Sequence, residues 1–211
     1  MSSGSPFSFV HVLLVLALIA VLWFFTSRAR RERHEAWSTF AARNDWVFSK
    51  SKEGGMEIQG LHQERQLSVL TESRHGGNGH RIVTVVRLEL GDALPPELTL
   101  EPEGLGDRFM KLFGVKDEEV GDAELDEALD LQHVTPESRA VLRNPRVRER
   151  VLALRDAYKR FSIVGGLLEA EQDGVPDTVA ELDTLVAPAF ALSRALDEAA
   201  GLSPEERVVP A

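Results

Sequence analysis

One apolar run near the start of the chain constrains its fold more than any other feature. Between Phe7 and Phe25, only Ser8 and His11 are not apolar. As an α-helix these nineteen residues would extend about 28 Å, close to the hydrocarbon thickness of a bilayer, roughly 30 Å. Insertion of the fourteen Leu, Ile, Val and Phe side chains is favourable by roughly 4–8 kcal/mol in total. The run therefore predicts a transmembrane helix over residues 7–25.

The residues on either side of the run argue against a cleaved signal peptide. Residues 1–6 contain no Lys or Arg, and the run ends at Trp23, Phe24 and Phe25 rather than at small residues. A signal peptide needs a basic start, a shorter apolar stretch and a small-x-small cleavage site. We therefore expect a permanent membrane anchor.

A cluster of arginines follows the run, and no basic residue precedes it. The four are Arg28, Arg30, Arg31 and Arg33. Because cytoplasmic flanks of membrane spans carry an excess of Lys and Arg, this asymmetry predicts an external N-terminus and a cytoplasmic C-terminal part. We expect the four arginines to lie at the membrane surface, where each contact with anionic lipid contributes about 1 kcal/mol. The alternative is a solvated helix face.

One ionisable residue, His11, lies inside the predicted span. An ionisable side chain within a membrane is a functional candidate by default. Its position about four residues from the outer boundary favours a neutral histidine at the interface instead. We therefore do not count His11 among the site residues.

The composition of the whole chain narrows the classes of protein to which it can belong. About 165 residues follow position 45, enough for a self-sufficient core. A content of 43% hydrophobic and 27% charged residues is typical of a folded domain. The net charge of −10 argues against a nucleic-acid partner, because phosphates require a basic surface. The chain has no cysteine, which excludes disulfides and thiolate metal sites and is consistent with a reducing compartment.

Helical spacing of Trp37 and Phe40 predicts that a basic juxtamembrane helix over residues 26–45 continues the span. Short β-branched or aromatic segments separated by turn residues follow, which predicts an antiparallel meander. These segments are WVFSK (46–50), MEIQG (56–60), QLSVLTES (66–73) and HRIVTVVRLEL (80–90), with ELTLE (97–101) as a further candidate.

Capping residues predict the helices of the second half of the chain. Thr135 and Asn144 each precede a proline, which is typical of a helix start. Between these helices and the last one, FSIVGGLLEAEQDG (161–174) predicts strands around a Gly-Gly turn. Thr178 and Glu181 form a capping-box pattern that begins a helix ending near residue 200 and packing on the sheet. We therefore predict an α+β fold with a cytoplasmic domain over residues 46–201 and a disordered tail over 202–211.

An acidic segment separates the two halves of this domain. Between Glu101 and Asp130 lie eleven acidic and three basic residues, which predicts a solvated loop region. The run from Asp117 to Glu127 lacks the alternating order of a calcium-binding loop. The sequence leaves open whether paired carboxylates act in general acid–base catalysis, because their pKa values depend on how deeply they are buried.

The region from Val120 to Gly174 resembles a family of uncharacterised bacterial proteins that carry an N-terminal membrane span. The resemblance lies in VGDAELDEALDLQHVTPESRAVLRNPRVRERVLAL followed by GLLEAEQDG, and more loosely in FAARNDWVFS. In that family a Gly-Asp turn leads into a strand, then a Leu- and Arg-rich helix, then another strand. The resemblance implies this architecture and no activity.

A glycine-rich stretch, SRHGGNGHR (73–81), is the most suggestive motif of the predicted domain. A phosphate-binding loop would open a helix, but a strand pattern follows here, and the spacing fits neither a dinucleotide fingerprint nor a P-loop. Gly76, Gly77, Asn78 and Gly79 fit a hairpin turn. The alternative is a metal held across the hairpin by His75 and His80, which lacks an evident third ligand.

Sequence signatures of several common enzyme classes are missing. His34 begins HEAWS, in which Ser38 replaces the second histidine of a zinc-protease motif, and no serine-hydrolase elbow is present. We therefore expect no catalytic residue, no cofactor and no metal. The predicted function is binding or scaffolding with a protein partner, and the alternative is a membrane-tethered enzyme that uses Asp, Glu and His. The sequence leaves the oligomeric state open.

Overall fold

The computed structural model describes residues 6–51, 54–76, 79–102 and 119–201. The protein has an α+β fold, as predicted: a long N-terminal helix is followed by one antiparallel sheet and, within the described ranges, four further helices. The helices are α1 (Pro6–Arg43), α2 (Ala123–Ala128), α3 (Pro136–Leu142), α4 (Pro145–Ala157) and α5 (Val179–Ala199). The predictions for residues 1–5, Gly77, Asn78 and the tail 202–211 lie outside the described residues.

The sheet has eight strands in the order β1-β2-β3-β4-β8-β7-β5-β6. The strands are β1 (Val47–Lys50), β2 (Met56–His62), β3 (Arg65–Gly76), β4 (Gly79–Glu89), β5 (Thr99–Pro102), β6 (Leu129–Gln132), β7 (Arg160–Val164) and β8 (Leu167–Asp173). The predicted meander forms the first four strands. The β7–β8 hairpin then pairs with β4 and separates the meander from β5 and β6.

Alternating burial along the strands defines the two faces of the sheet. On β4, Val86 and Leu88 belong to the main core, whereas Arg87 between them is partly exposed. On β8, Leu168 and Ala170 are buried on the same side. The helices cover this side, and we call the opposite side the open face.

Helix α1 differs in environment between its two ends. Its N-terminal part is apolar and exposed, whereas Trp37 and Phe40 near its C-terminal end are 0% and 1% exposed. The helix ends at Arg43, close to the predicted stop, and Asp45 adopts a left-handed backbone conformation in the turn to β1. Within the described residues, one helix, in the segment His11–Arg43, is long and apolar enough to cross a membrane, with a mean hydropathy of 2.2.

Helix α5 lies alongside the buried end of α1 and runs in the same direction. Near the start of α5, Asp177 accepts a hydrogen bond from Arg33 at 2.6 Å. The Trp37 indole donates to the carbonyl oxygen of Pro176 at 3.0 Å. One turn into α5, Asp183 pairs with Arg43. Residues further along α1 therefore meet residues further along α5.

The predicted helix starts are confirmed. Thr135 and Ser138 form a capping box at α3, and the Asn144 side chain caps α4. Thr178 accepts the backbone N–H of Glu181 at the start of α5. The interpretation of the acidic segment as a loop is wrong for residues 123–132, where α2 and β6 form. Charge counts missed them because their few apolar residues are the buried ones, namely Leu125, Ala128, Leu129 and Leu131.

Candidate functional site

Ion pairs on the open face of the sheet link β3, β4 and β8. We call this set the charged lattice; its members are Glu72, Arg74, Arg81, Arg87, Glu169, Glu171 and Asp173. The strand register brings them together, because Arg74 lies opposite Arg81, and Arg87 lies opposite Glu169. Alternation along each strand places all of them on one side. The lattice therefore follows from strand alternation, which places charged residues of three neighbouring strands on one face, around Val83 and Val85 of β4.

Within the lattice, each arginine contacts at least two carboxylates. Arg87 donates to Glu169 at 2.8 Å and to Glu72 at 2.9 Å. Arg81 donates to Glu171 and to Asp173, both at 2.5 Å. Hydrogen bonds to Glu169 raise the pKa of Arg87 above its usual value. The opposite charges are thus matched within the lattice.

Lys159, in the turn that precedes β7, lies at the edge of the lattice near Asp173. Lys159 makes an ion pair with Asp173, and this hydrogen bond holds the pKa of Asp173 below its usual value. Glu171 is the most buried carboxylate of the lattice, with a side chain 10% exposed. The Nε atom of Arg74 is buried and lacks a hydrogen-bond partner, although it lies 3.4 Å from Glu171. The charged side chains of this face are therefore paired with side chains of opposite charge.

A groove of about 830 Å³ lies beside the lattice. Its lining combines basic side chains from β3, β4 and β7 with carboxylates from β5 and β8, including Arg74, Arg160, Glu101 and Glu171. Because both signs of charge line it, the groove has no preference for an anion over a cation. A second groove of about 620 Å³ lies at the start of α5, where Thr178 already caps the helix. The lining residues of neither groove indicate a particular chemical reaction.

Exposed aliphatic side chains occupy the other end of the open face. We call them the aliphatic row: Val47 (69% exposed), Leu61 (60%), Val164 (50%) and Leu167 (40%). Val164 and Leu167 lie opposite each other in the β7–β8 hairpin. On the other side of β3 and β4, Leu61 lies diagonally across from Val47, because Val47 pairs with Gln59. Sequence reasoning did not single out these residues, although Val164 and Leu167 each lie next to a buried residue.

The structure brings the two predicted hairpin histidines together. His75 and His80 are directly opposite each other in the β3–β4 register, and their ring centroids are 3.9 Å apart. Gly79 has a φ of +116°, as expected of a glycine in this turn. Among the described residues, no group of three or more His, Cys, Asp or Glu side chains could hold a metal ion.

The four juxtamembrane arginines have different partners. Arg28 pairs with Glu32 one turn along α1 at 2.8 Å, and Arg33 pairs with Asp177 at 2.6 Å. Arg30 and Arg31 are exposed and make no ion pair within the part of the chain that the structure describes. Two of the four arginines, Arg28 and Arg33, thus make ion pairs within the protein.

A buried ion pair at the far end of α5 escaped sequence reasoning. Arg65, at the start of β3, donates to Ser193 at 2.6 Å and pairs with Asp197. The side chains of Arg65 and Asp197 are 11% and 5% exposed. The only local sequence signal for this buried pair was that two polar residues, Ser193 and Asp197, lie one turn apart on the apolar face of α5. The pair fastens the β2–β3 turn to α5 and is therefore structural.

Comparisons with known proteins do not add a function. The chain matches no protein-family model, no curated protein and no solved structure. The resemblance stated for the region from Val120 to Gly174 therefore stays a prediction. The function has to be argued from the geometry of α1 and of the open face.

Proposed function

We propose that this protein is a single-pass membrane protein whose cytoplasmic α+β domain binds a protein partner. The observation that carries the proposal is the continuity of α1, which is one helix from Pro6 to Arg43. One end of this helix has the properties of a membrane span, and the other end is part of the domain core. The two regions are therefore linked without a flexible connection.

Within the described residues, the domain does not cover the apolar end of α1. Between Val12 and Phe25 its large hydrophobic side chains are 50% to 72% exposed on all sides of the helix. A helix that is apolar all round is buried in a large core or spans a membrane. The domain does not cover it, since no residue of its most apolar window is buried. A bilayer is the environment that removes this surface from water.

The buried end of α1 fixes the domain close to the bilayer. Arg33, the first residue of α1 with an ion pair to the domain, follows Phe25 by eight residues, or about 12 Å of helix. This distance is of the order of the headgroup layer plus one shell of water. All four juxtamembrane arginines lie between the span and the domain, which supports a cytoplasmic domain by the positive-inside rule.

The aliphatic row supports a protein partner for the open face. Exposed apolar side chains that cluster on one face mark interaction surfaces more often than isolated ones do. Covering a half-exposed Val or Leu contributes roughly 1 kcal/mol, about half of the value for complete burial. The matched charges of the neighbouring lattice add specificity, because a partner with misplaced charges would leave them unpaired.

The alternative of a membrane-tethered enzyme has weaker support. Glu169 and Glu171, two carboxylates that both lie within 3.5 Å of Arg74, already accept hydrogen bonds from Arg87 and Arg81. Carboxylate oxygens held in this way are poorly placed to exchange a proton with a substrate. Binding is therefore the function that the open face supports better.

Site-specific photo-crosslinking in cells tests the binding surface. A photoreactive amino acid replaces Leu61 or Leu167 in the full-length chain, and as a control it replaces the exposed Arg194 on α5. We expect one discrete adduct at both open-face positions, its loss when the other three members of the aliphatic row become serine, and none at the control. Equal crosslinking at all three positions, or none at Leu61 and Leu167, would contradict the proposal.

A further inference from the structure

Contacts between elements show which end of the sheet points towards the membrane. Along α1, His34 lies against Phe48 with ring centroids 4.9 Å apart, whereas Phe40, further from the span, lies against Trp46 at 5.6 Å. Strand β1 therefore runs back towards the span, and its end at Lys50 is the end nearer to the bilayer. Because the sheet is antiparallel throughout, β3 also ends and β4 begins at this end.

The β3–β4 hairpin extends beyond its neighbours at this end. Pairing of β3 with β2 stops at Leu70, and pairing of β4 with β8 stops at Val83. Among the described residues, the two strands beyond these points form ladder pairs only with each other, although Ile82 also accepts one backbone hydrogen bond from Gly174. We call this part the hairpin overhang: residues 73–76 of β3 and 79–82 of β4. Its two middle residues, Gly77 and Asn78, are outside the described residues.

Two hydrogen bonds show which residue of α1 lies at about the same distance from the membrane as the base of the overhang. The Trp37 indole donates to the carbonyl oxygen of Pro176 at 3.0 Å. Two residues earlier, the N–H of Gly174 donates to the carbonyl oxygen of Ile82, also at 3.0 Å. The base of the overhang is therefore close to the level of Trp37. Trp37 follows Phe25 by twelve residues, so this level is about 18 Å from the end of the apolar run.

The overhang extends from that level to the outer edge of the headgroup layer, or to within about 3 Å of it. Ile82 to Gly79 spans three residues of extended strand, or about 10 Å. A strand parallel to α1 would place Gly79 about 8 Å from the hydrocarbon edge. A strand inclined by about 45°, the accumulated twist of two neighbouring strands, would place it at about 11 Å. The headgroup layer occupies about 5–8 Å of this distance.

We propose that the hairpin overhang is a second membrane contact, which lies against the phosphate-bearing lipid headgroups of the bilayer that α1 enters. This inference rests on the proposed membrane anchoring of α1. The groups nearest to the bilayer are His75 and His80, both exposed, whose ring N–H groups donate hydrogen bonds to phosphate oxygens. Ile82, 59% exposed, adds apolar surface at the base.

The charged lattice supports the overhang from the side of the domain. Arg74 and Arg81 lie opposite each other within the overhang, and they make ion pairs with Glu171 on β8. These ion pairs hold the projecting strands against the sheet and make the hairpin rigid. With α1 as the first attachment and the overhang as the second, the domain cannot rotate freely about α1, and the open face keeps one orientation relative to the membrane.

Depth-dependent fluorescence quenching tests this contact on the full-length chain. The protein has no cysteine, so a fluorophore is attached to a single introduced one: His75→Cys or His80→Cys on the overhang, or Gln132→Cys at the opposite end of the sheet as the matched control. A fourth single substitution, Leu22→Cys, places the label within the span. The vesicles contain phosphatidylcholine, with or without phosphatidylglycerol, and a lipid with a nitroxide on its headgroup or on its acyl chain.

We expect headgroup nitroxides to quench both overhang labels several-fold more strongly than the Gln132→Cys label. Stronger quenching with phosphatidylglycerol would identify anionic headgroups as the preferred ligand, and equal quenching would identify the phosphate shared by both lipids. Quenching of both overhang labels no stronger than at Gln132→Cys, together with quenching of Leu22→Cys by acyl-chain nitroxides, would overturn the overhang contact alone. An unquenched Leu22→Cys label would overturn the anchoring and the contact that rests on it.

Discussion

Gly60 in β2 leaves room for the indole ring of Trp46. A Cβ atom at Gly60 would lie 2.0 Å from Cδ1 of Trp46. Trp46 cannot easily move away, because its Nε1 donates to the carbonyl oxygen of Leu61 at 2.9 Å and its ring packs edge-on against Phe40. The glycine is therefore required by packing and not by backbone conformation.

We expect Gly60→Ala to lower the free energy of unfolding by about 1–3 kcal/mol, the usual range for overpacking. Urea denaturation measures the loss. In a Trp46→Ala background the same substitution should cost far less, because the colliding ring is gone. An equal loss in both backgrounds would show that the ring is not the cause.

The Arg65–Asp197 pair should be more important for stability than any exposed ion pair. Asp197→Asn leaves the buried Arg65 guanidinium without its countercharge, and we expect a loss of about 3–5 kcal/mol in the free energy of unfolding. The matched control is Arg146→Ala, which removes an exposed pair with Glu198 and should cost about 1 kcal/mol or less. The double substitution Arg65→Met with Asp197→Leu should recover most of the loss. A small effect of Asp197→Asn alone would contradict a desolvated pair.

At the scale of single elements, the β3–β4 hairpin provides a prediction about metals. Replacing both His75 and His80 with alanine should change the free energy of unfolding by less than about 0.5 kcal/mol, because both side chains are exposed. Calorimetric titration with zinc should show no tighter binding to the natural chain than to the double variant. Micromolar zinc binding that disappears in the variant would establish a metal site instead.

Local sequence signals predicted most of the elements that depend on local interactions. Strands β1 to β4 followed from short β-branched or aromatic segments separated by turn residues, and α3, α4 and α5 from the caps Thr135, Asn144 and Thr178. The acidic segment misled the prediction, because α2 and β6 bury only a few leucines among many carboxylates. Asp122 caps α2 and Asp126 accepts backbone N–H groups, so part of the charge that indicated a loop organises a helix.

Strand order and the surfaces built on it depend on distant contacts. Arg65 and Asp197 are 132 residues apart, and Arg87 and Glu169 are 82 apart. The sequence has no local signal for which strand lies beside which, so neither the charged lattice nor the aliphatic row could be assembled from it. The predicted site residues, the four juxtamembrane arginines, required only the position of the apolar run. Their contact with lipid stays a prediction.

At the scale of the whole molecule, the domain should fold without its membrane span. A fragment that begins at Glu35 keeps Trp37 and Phe40, the residues of α1 that belong to the core. We expect this fragment to be soluble and to unfold in one cooperative thermal transition, as domains of this size usually do. Circular dichroism and calorimetry measure the transition. Persistent aggregation, or unfolding without cooperativity, would show that the core depends on the apolar part of α1.

The central claim is that α1 crosses the membrane once and continues into a domain on the cytoplasmic side. Reporter fusions after Ala211 test it in a bacterial host, with green fluorescent protein active in the cytoplasm and alkaline phosphatase active in the periplasm. The account predicts a fluorescent protein fusion in the membrane fraction and an inactive phosphatase fusion. As a matched control, the phosphatase fusion is repeated after Arg28, Arg30, Arg31 and Arg33 are changed to glutamine and three lysines are added before Phe7, which should activate it. An active phosphatase on the natural sequence, or a fluorescent fusion in the soluble fraction, would contradict the account.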